Sequence, residues 1–360
     1  MLASALRSAR LVTIEAGAVC VGTLVAVAVL AAAGGPAPQA SLASLWNGAF
    51  GSGFALVQSV LKAIPLALTG LAVALPLRLR LWNIGAEGQL YAGAIGASWI
   101  ALSFDDLPAG AMVPAVVGVS VIAGAAWALL AAVPRALWAV DEIISTLMLN
   151  YVAILFADYL VTGPWRSRSA LNFPISDDLP ASARLPALGL SGLHLGVVLP
   201  VVAGIVLVLL LRWSKWGFEL RMTAANPSAA AVVGIPIRRN ILVCMAIGGA
   251  LSGVAGMIEV VMSFGALQQG ISPGYGYIGI VVATLAATTI VGTLVLAFLM
   301  GGLVVGGLAL QTLGVSDGFV LFLQGVILFS ALLGSRMTGV RLLRRRSVGR
   351  LEPGTTLEAT

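Results

Sequence analysis

A chain of 360 residues that is 59% hydrophobic and only 9% charged is composed unlike a soluble enzyme or binding module, in which about 25% of residues are charged. Its apolar runs are continuous rather than alternating, which argues against a β-barrel and for an all-α polytopic membrane protein. The net charge of +6 comes largely from a tail carrying Arg336, Arg341, Arg344, Arg345, Arg346 and Arg350, the pattern of a cytoplasmic end beside anionic lipid rather than of a nucleic-acid surface.

A membrane span needs about 20 apolar residues, and ten segments qualify in chain order. The first, 11–33, follows Arg7 and Arg10. It is too long for a cleaved signal region of about 7–15 apolar residues, so it reads as an uncleaved span. The others are 55–77, 83–104, 111–133, 142–163, 195–212, 241–262, 278–290, 291–309 and 319–335. The stretch 278–309 is broken only by Ala287-Thr288-Thr289 and reads as two helices or one bent span. With the N-terminus inside, sixteen of the 20 basic residues fall on the cytoplasmic side. Arg166, Arg168 and Arg184 fall outside, and Lys62 lies within a span. That asymmetry fixes orientation, and nine spans would put the tail arginines outside, so the charges favour splitting 278–309. Residues 1–335 then form one transmembrane domain with a cytoplasmic loop at 213–240, and 336–360 form a basic cytoplasmic tail. Spans two to five and seven to ten run in opposite senses, the topology of an inverted repeat. Cys20 and Cys244 both fall in apolar spans and read as unpaired thiols.

Polar groups at bilayer depth are costly and need partners or a water-filled cavity. The run Trp82-Asn83-Ile84-Gly85-Ala86-Glu87-Gly88-Gln89, just after Arg78-Leu79-Arg80, concentrates three such groups. Asn83, Glu87 and Gln89 either line a translocation path or form a structural network in which Glu87 pairs with Arg78 or Arg80. In span five, Thr146 and Asn150, and Ser145 and Leu149, share faces at spacing four. Neutral side chains of this kind suit a hydroxyl-rich neutral solute; interhelical hydrogen bonding is the equal alternative. Lys62 either snorkels or pairs with Glu259. Gln268 and Gln269 precede a glycine-rich turn bearing Tyr275 and Tyr277, an outer mouth or re-entrant segment whose rings either stack on a base or sit in an aromatic belt.

The inner loop carries its own helix signals. Asn226 is a good N-cap and Pro227 suits the first helical position. Residues 228–233 then make under two turns, Gly234 stops them, and Pro236 follows. So short a helix does not stand alone in water. Its small surface (Ala229, Ala230, Ala231, Val232, Val233) implies docking, onto its own domain or onto a partner.

Chemistry is poorly provided for. Gly-x-Ser-x-Gly occurs at 270–274 and 314–318, but without the strand–turn–helix context of a nucleophile elbow. His194 is the lone histidine. There is no metal-ligand cluster, no cofactor motif and no Gly-Lys pair, so a phosphate-binding Walker loop is absent and any ATP hydrolysis must come from another chain.

Taken together, several runs resemble the permease subunits of ATP-binding-cassette importers of nucleosides and simple sugars, in the branched-chain amino acid and ribose-type family. They are Pro65-Leu66-Ala67-Leu68-Thr69-Gly70-Leu71 leading to 83–89, then 141–151, then Gly217-Phe218-Glu219-Leu220-Arg221 with Asn226-Pro227-Ser228-Ala229-Ala230 and Gly234-Ile235, then 271–277. One departure follows Ile280-Val281-Val282-Ala283, where the family usually turns through Leu-Gly with Arg, Asn and Pro. Here the chain reads Thr284-Leu285-Ala286-Ala287-Thr288-Thr289. The resemblance implies about ten transmembrane helices in an inverted-repeat permease of the bacterial cytoplasmic membrane, both termini inside. It implies an ATPase subunit that receives the short inner helix in a cleft, a second permease subunit (homologous or identical) and an extracytoplasmic solute-binding protein or lipoprotein. The coupling residues would be Gly217, Glu219, Arg221, Asn226, Pro227, Ala229, Ala230 and Gly234; the solute path would involve Asn83, Glu87, Gln89, Ser145, Thr146, Asn150 and Tyr275. The expected solute is a nucleoside, with a simple sugar next. An ion-coupled secondary transporter is the alternative, weakened because its usual midplane carboxylates are mostly replaced by neutral groups. No enzymatic activity of the chain itself and no cofactor are expected.

Overall fold

The computed structural model describes residues 20–171, 173–189, 192–316, 318–327, 329–330 and 333. The beginning of the expected first span, the end of the expected tenth, Asp317 and the basic tail with its six arginines lie outside the described residues. Helices follow one another as α1 (Cys20–Ala32), α2 (Pro38–Phe50), α3 (Gly53–Leu77), α4 (Ala86–Ser103), α5 (Ala109–Trp138) and α6 (Glu142–Thr162). After a long connection come α7 (Val198–Trp213), α8 (Lys215–Ala225), α9 (Pro227–Val232), α10 (Ile237–Ile258), α11 (Tyr275–Leu285), α12 (Ile290–Gln311) and α13 (Gly318–Ile327). Among the described residues there are isolated β-bridges but no named strand, and six helices are long and apolar enough to cross a membrane. These are α3, α5, α6, α7 with the short turn before it, α10 with its continuation to Phe264, and α12. α1, α11 and α13 are apolar but shorter. α2 falls within 34–54, which the hydropathy leaves as a connection.

Two compact units make up the chain: Asn47–Val305, and a second drawn from Met1–Trp46 with Gly306–Thr360. In the smaller unit a Cβ on Gly306 would fall at 2.5 Å from the Leu45 carbonyl, and Ser44 donates to the Ala309 carbonyl at 3.1 Å.

The larger unit is organised around α10. Without a hydrophobic drive between helices in lipid, close backbone approach through small residues becomes the main source of packing energy. α10 supplies it with glycines on two sides: Gly256 lies against the Leu90 carbonyl of α4, and Gly253 against the Ser120 carbonyl of α5. α3 is buried on every side from 63 to 76, as expected for a helix segment surrounded by others. α6 and α7 bury one stripe and expose the rest. Beyond Ile258 the α-helical ladder of α10 widens into a π-helical stretch, Glu259–Phe264, ended by Gly265 with φ 76°. π-bulges often mark functional sites, and this one places Glu259 3.7 Å from Lys62 of α3. The ammonium also lies 5.8 Å from the centre of the Tyr275 ring. The expected pairing of Lys62 with Glu259 is therefore present.

The stretch 278–309 is two helices. α11 ends at Leu285 and α12 starts at Ile290, with Ala287 at φ 47° and Thr288 at φ 60° between them. Left-handed backbone at two non-glycine residues is costly, and the turn is held by Arg78, which donates to the Thr288 carbonyl at 2.7 Å. The unusual sequence Ala287-Thr288 thus turns the chain without the residues normally found there.

Candidate functional site

The run 82–89 leaves α3 and starts α4, and its side chains turn inward. Asn83 and Gln89 form a reciprocal amide pair: Asn83 Nδ2 donates to Gln89 Oε1 at 3.0 Å, and Gln89 Nε2 donates to Asn83 Oδ1 at 2.7 Å. Asn83 Nδ2 also reaches the Ala72 carbonyl at 3.2 Å. Asn150 of α6 spans the start of α4, accepting the Gly88 N–H at 2.8 Å and donating to the Ile84 carbonyl at 2.9 Å. Glu87 accepts the Gly276 N–H of α11 at 2.7 Å. Gly88 and Gly276 are needed here because a Cβ at either would meet Asn150 or the Glu87 backbone.

Asn83, Glu87, Gln89, Thr146, Asn150 and Tyr275 are all essentially buried. The structure brings them together where α4 meets α6 and α11, and satisfies the amides and Glu87 within one chain. Glu87 is held by backbone N–H rather than by Arg78 or Arg80, which corrects that pairing. Ser145 stands apart: it is half-exposed and donates to the Asp141 carbonyl. Five helical positions turn it about 140° from Asn150. Glu142, absent from the expected set, receives Arg135 at 3.1 Å and the Trp82 N–H at 3.4 Å.

The accessible polar and aromatic groups are different ones. On α6, Tyr151 and Tyr159 are exposed and Asp158 is half-buried. Tyr151 and Asp158 are seven positions apart and share a face. Tyr277 is partly exposed beside Asn150, whose Nδ2 is 3.4 Å from its hydroxyl. The aromatic residues could be found from their spacing in the sequence; Asp158 is an acid inside an apolar span, the signal that was there to be read.

On the loop side, Asn226 caps α9 by accepting the Ala229 N–H at 3.1 Å, Pro227 occupies the first turn, and Gly234 has φ 80°. These match the expected start and stop. α8, not anticipated, precedes it. Gly217 lets α8 cross the end of α7, where a Cβ would strike the Leu211 carbonyl, and Arg221 donates to that same carbonyl. The Glu219 carbonyl accepts the Thr223 hydroxyl at 2.8 Å within α8. Ala230 is fully buried against its own chain, so within α9 it packs inward and is not part of the exposed surface. Ala229, Val232 and Val233 are exposed, with Val232 at 87% and Val233 at 69%, and Trp213 and Phe218 are exposed nearby in sequence. A cavity of about 490 Å³ is lined by Arg78, Thr288, Gly217 and Arg221. Burial, and secondarily the Arg221 charge, lower the Arg78 guanidinium from its ordinary value. Among the described residues no cluster could hold a metal.

Residues 55–332 match the family described as branched-chain amino acid transport system, permease component. The chain is 35% identical over 251 residues to the glucose ABC transporter permease protein TsgB13 of Haloferax volcanii, covering 67% of this chain and 66% of that protein, just under two thirds of its length. It is 34% identical over 273 residues to the guanosine ABC transporter permease protein NupP of Bacillus subtilis, covering 74% of this chain and 78% of the relative. It is 30% identical over 257 residues to the nucleoside ABC transporter permease protein NupB of Lactococcus lactis, covering 68% and 70%. No solved structure matches. With the family pattern running from α3 to α13 through the buried amide network and the α8–α9 loop, the chain belongs to the permease-component family of branched-chain amino acid transport systems.

Proposed function

We propose that this chain is the membrane-spanning subunit of an ATP-binding-cassette importer that carries nucleosides. The observation that carries the reading is α9: a six-residue helix capped at its start, stopped by Gly234, and exposing Val232 and Val233 on a chain with no Walker loop. Exposed valines on a helix this short suit insertion into a partner, and the partner that would use it is an ATPase subunit. α8 and α9 within 213–240 then form the coupling loop, with Asn226, Pro227, Gly217, Arg221 and Gly234 building it and Ala229, Val232 and Val233 presenting it. A second permease subunit and an extracytoplasmic binding protein would complete the importer. On this reading the chain crosses the membrane ten times as an inverted repeat with both termini in the cytoplasm; the basic-residue asymmetry supports the orientation, and the six span-length and three shorter apolar helices support the multi-pass part of it.

The solute reading rests on two relatives named for guanosine and nucleoside transport, and on the rings of Tyr151, Tyr159 and Tyr277, which can stack on a base. The neutral network of Asn83, Gln89 and Asn150, with Glu87, Thr146 and Tyr275, would hold the path's wall in shape, and Ser145 would lie beside it. The relative named for glucose transport favours a simple sugar as the second reading. Uptake of labelled guanosine, uridine, glucose, ribose and leucine, measured in cells expressing the chain with its neighbouring transporter genes, decides between them. Guanosine or uridine uptake that glucose, ribose and leucine do not compete supports the nucleoside; uptake of glucose or leucine alone rejects it.

A further inference from the structure

Two cavities share a wall of tryptophan at one end of the bundle. The first, about 410 Å³, is an apolar slot between α4, α5 and α6, lined by residues such as Ile95, Gly96, Ala123, Ala126, Phe156 and Leu160. From Val119 to Leu130, both in its wall, the slot follows α5 for about 16 Å, roughly one leaflet of a ~30 Å hydrocarbon core. The second, about 540 Å³, lies where α6 runs into the following connection and is lined by Arg166, Arg168, Ser103, Ser169 and Asp177. Trp99 and Trp165 line both. An apolar slot and a basic, hydroxyl-bearing cup thus adjoin at two shared rings.

That sequence of environments has the polarity of a phospholipid. Tryptophan is enriched at the headgroup level, where its ring is apolar and its N–H can be wet. Guanidinium groups suit phosphate oxygens because they present several donors in a planar fork. Asp177 is the one acid among the cup's lining residues against two arginines, so the cup favours an anionic head. The same two arginines belong to the three basic residues placed outside by the charge distribution, where basic residues are otherwise scarce.

We infer that the groove between α4, α5 and α6 is a binding site for an anionic phospholipid, with one acyl chain along α5 and the phosphate between Arg166 and Arg168. The site is separate from the buried amide network and from the α8–α9 loop, and it does not depend on which solute is carried. Its occupant would fill an exposed apolar surface bearing Trp99, Leu130 and Phe156.

Native mass spectrometry of the full chain in mild detergent tests this, with phosphatidylglycerol and phosphatidylcholine added separately. Phosphatidylglycerol should bind about tenfold more tightly, and the double change Arg166→Gln with Arg168→Gln should abolish that preference. Arg166 has a contact of its own within the protein, so the melting temperature is read beside the binding, and Arg168→Gln alone, at an exposed position, should weaken the preference while leaving that contact in place. Ala126→Trp, at an exposed groove position, should weaken both lipids by obstructing the slot. Equal binding of the two lipids by the parent chain overturns the inference, as does a preference that survives loss of both arginines. Efficient crosslinking from Ala126→Cys to a second permease chain in native membranes overturns it too, because the groove would then be covered by protein.

Discussion

Asn150 of α6 accepts the Gly88 N–H and donates to the Ile84 carbonyl, closing both ends of the turn that starts α4 with a single amide. Asn150→Leu removes both bonds inside a fully buried site. Each stranded buried backbone group costs about 1–3 kcal/mol, so a loss of about 2–5 kcal/mol is expected, read as a lower melting temperature and less folded protein in membranes. Asn150→Asp keeps the acceptor and should be milder at acidic pH than at neutral pH. Uptake by the assembled transporter should fall with Asn150→Leu. A leucine variant as stable as the parent would show that the amide does not hold this turn.

Gly276 meets Glu87 backbone to side chain across the start of α11. Gly276→Ala puts a Cβ onto the Glu87 backbone, and α4 and α11 must separate. Overpacking of this kind costs about 1–3 kcal/mol. Glu87→Gln keeps an acceptor for the Gly276 N–H and should be the more stable of the two, a ranking that thermal unfolding in detergent can check.

On the α9 helix two arginine substitutions should behave in opposite ways. Val232→Arg changes an exposed side chain, so the chain should fold and insert normally while copurification of the ATPase and uptake both drop. Ala230→Arg forces a charge into a site with no exposure and should unsettle the loop itself by about 3 kcal/mol or more. Limited proteolysis of the loop separates the cases: faster cleavage is expected for Ala230→Arg alone. Normal ATPase copurification with Val232→Arg would remove α9 as the docking element.

His194 caps the turn before α7, its Nδ1 accepting the Gly196 N–H at 3.1 Å. Burial lowers its pKa below the ordinary 6.5. The neutral ring is therefore favoured in the folded state, and the unfolded state takes up the proton first. Stability from this group is fully present above about 6.5 and is lost as pH falls through that value toward the folded pKa. Protection from hydrogen exchange over 192–198, taken relative to the intrinsic amide rate at each pH, should fall between pH 7.5 and 5.5, and His194→Asn should flatten that dependence.

Sidedness can be read with cysteines on exposed positions, in a Cys20→Ser background. Ser169→Cys should react with an impermeant maleimide from outside intact cells, and Ser228→Cys should react only after permeabilisation. The reverse pattern rejects the orientation.

Much of the helical order was legible because each apolar run is long and the bilayer permits few alternatives. The caps of α9 were legible for a local reason: Asn226, Pro227 and Gly234 act through their own backbone. What stayed hidden was facing. Spacing groups Thr146 with Asn150, but it does not tell a lipid-facing stripe from a protein-facing one when both are apolar, so the exposed Tyr151 and Asp158 went unweighted. Ala230 is small and apolar on a helix of similar residues, and nothing in composition says which of them points home. α2 and α8 escaped because neither is long and apolar enough to register as a span.

The glycines of α10 set where this protein can bend. Where Gly253 and Gly256 rest on the carbonyls of α5 and α4, no side chain lies between the backbones to change rotamer and absorb a displacement. Helices joined in that way shift together or come apart, so α4, α5 and α10 behave as a keel. The short α11 is seated in the same way, Gly276 on the Glu87 backbone of α4 and Gly279 on Thr69 of α3, whereas α7 meets α12 at Gly204 through the side chains of Leu294 and Ile290, which can change rotamer and give.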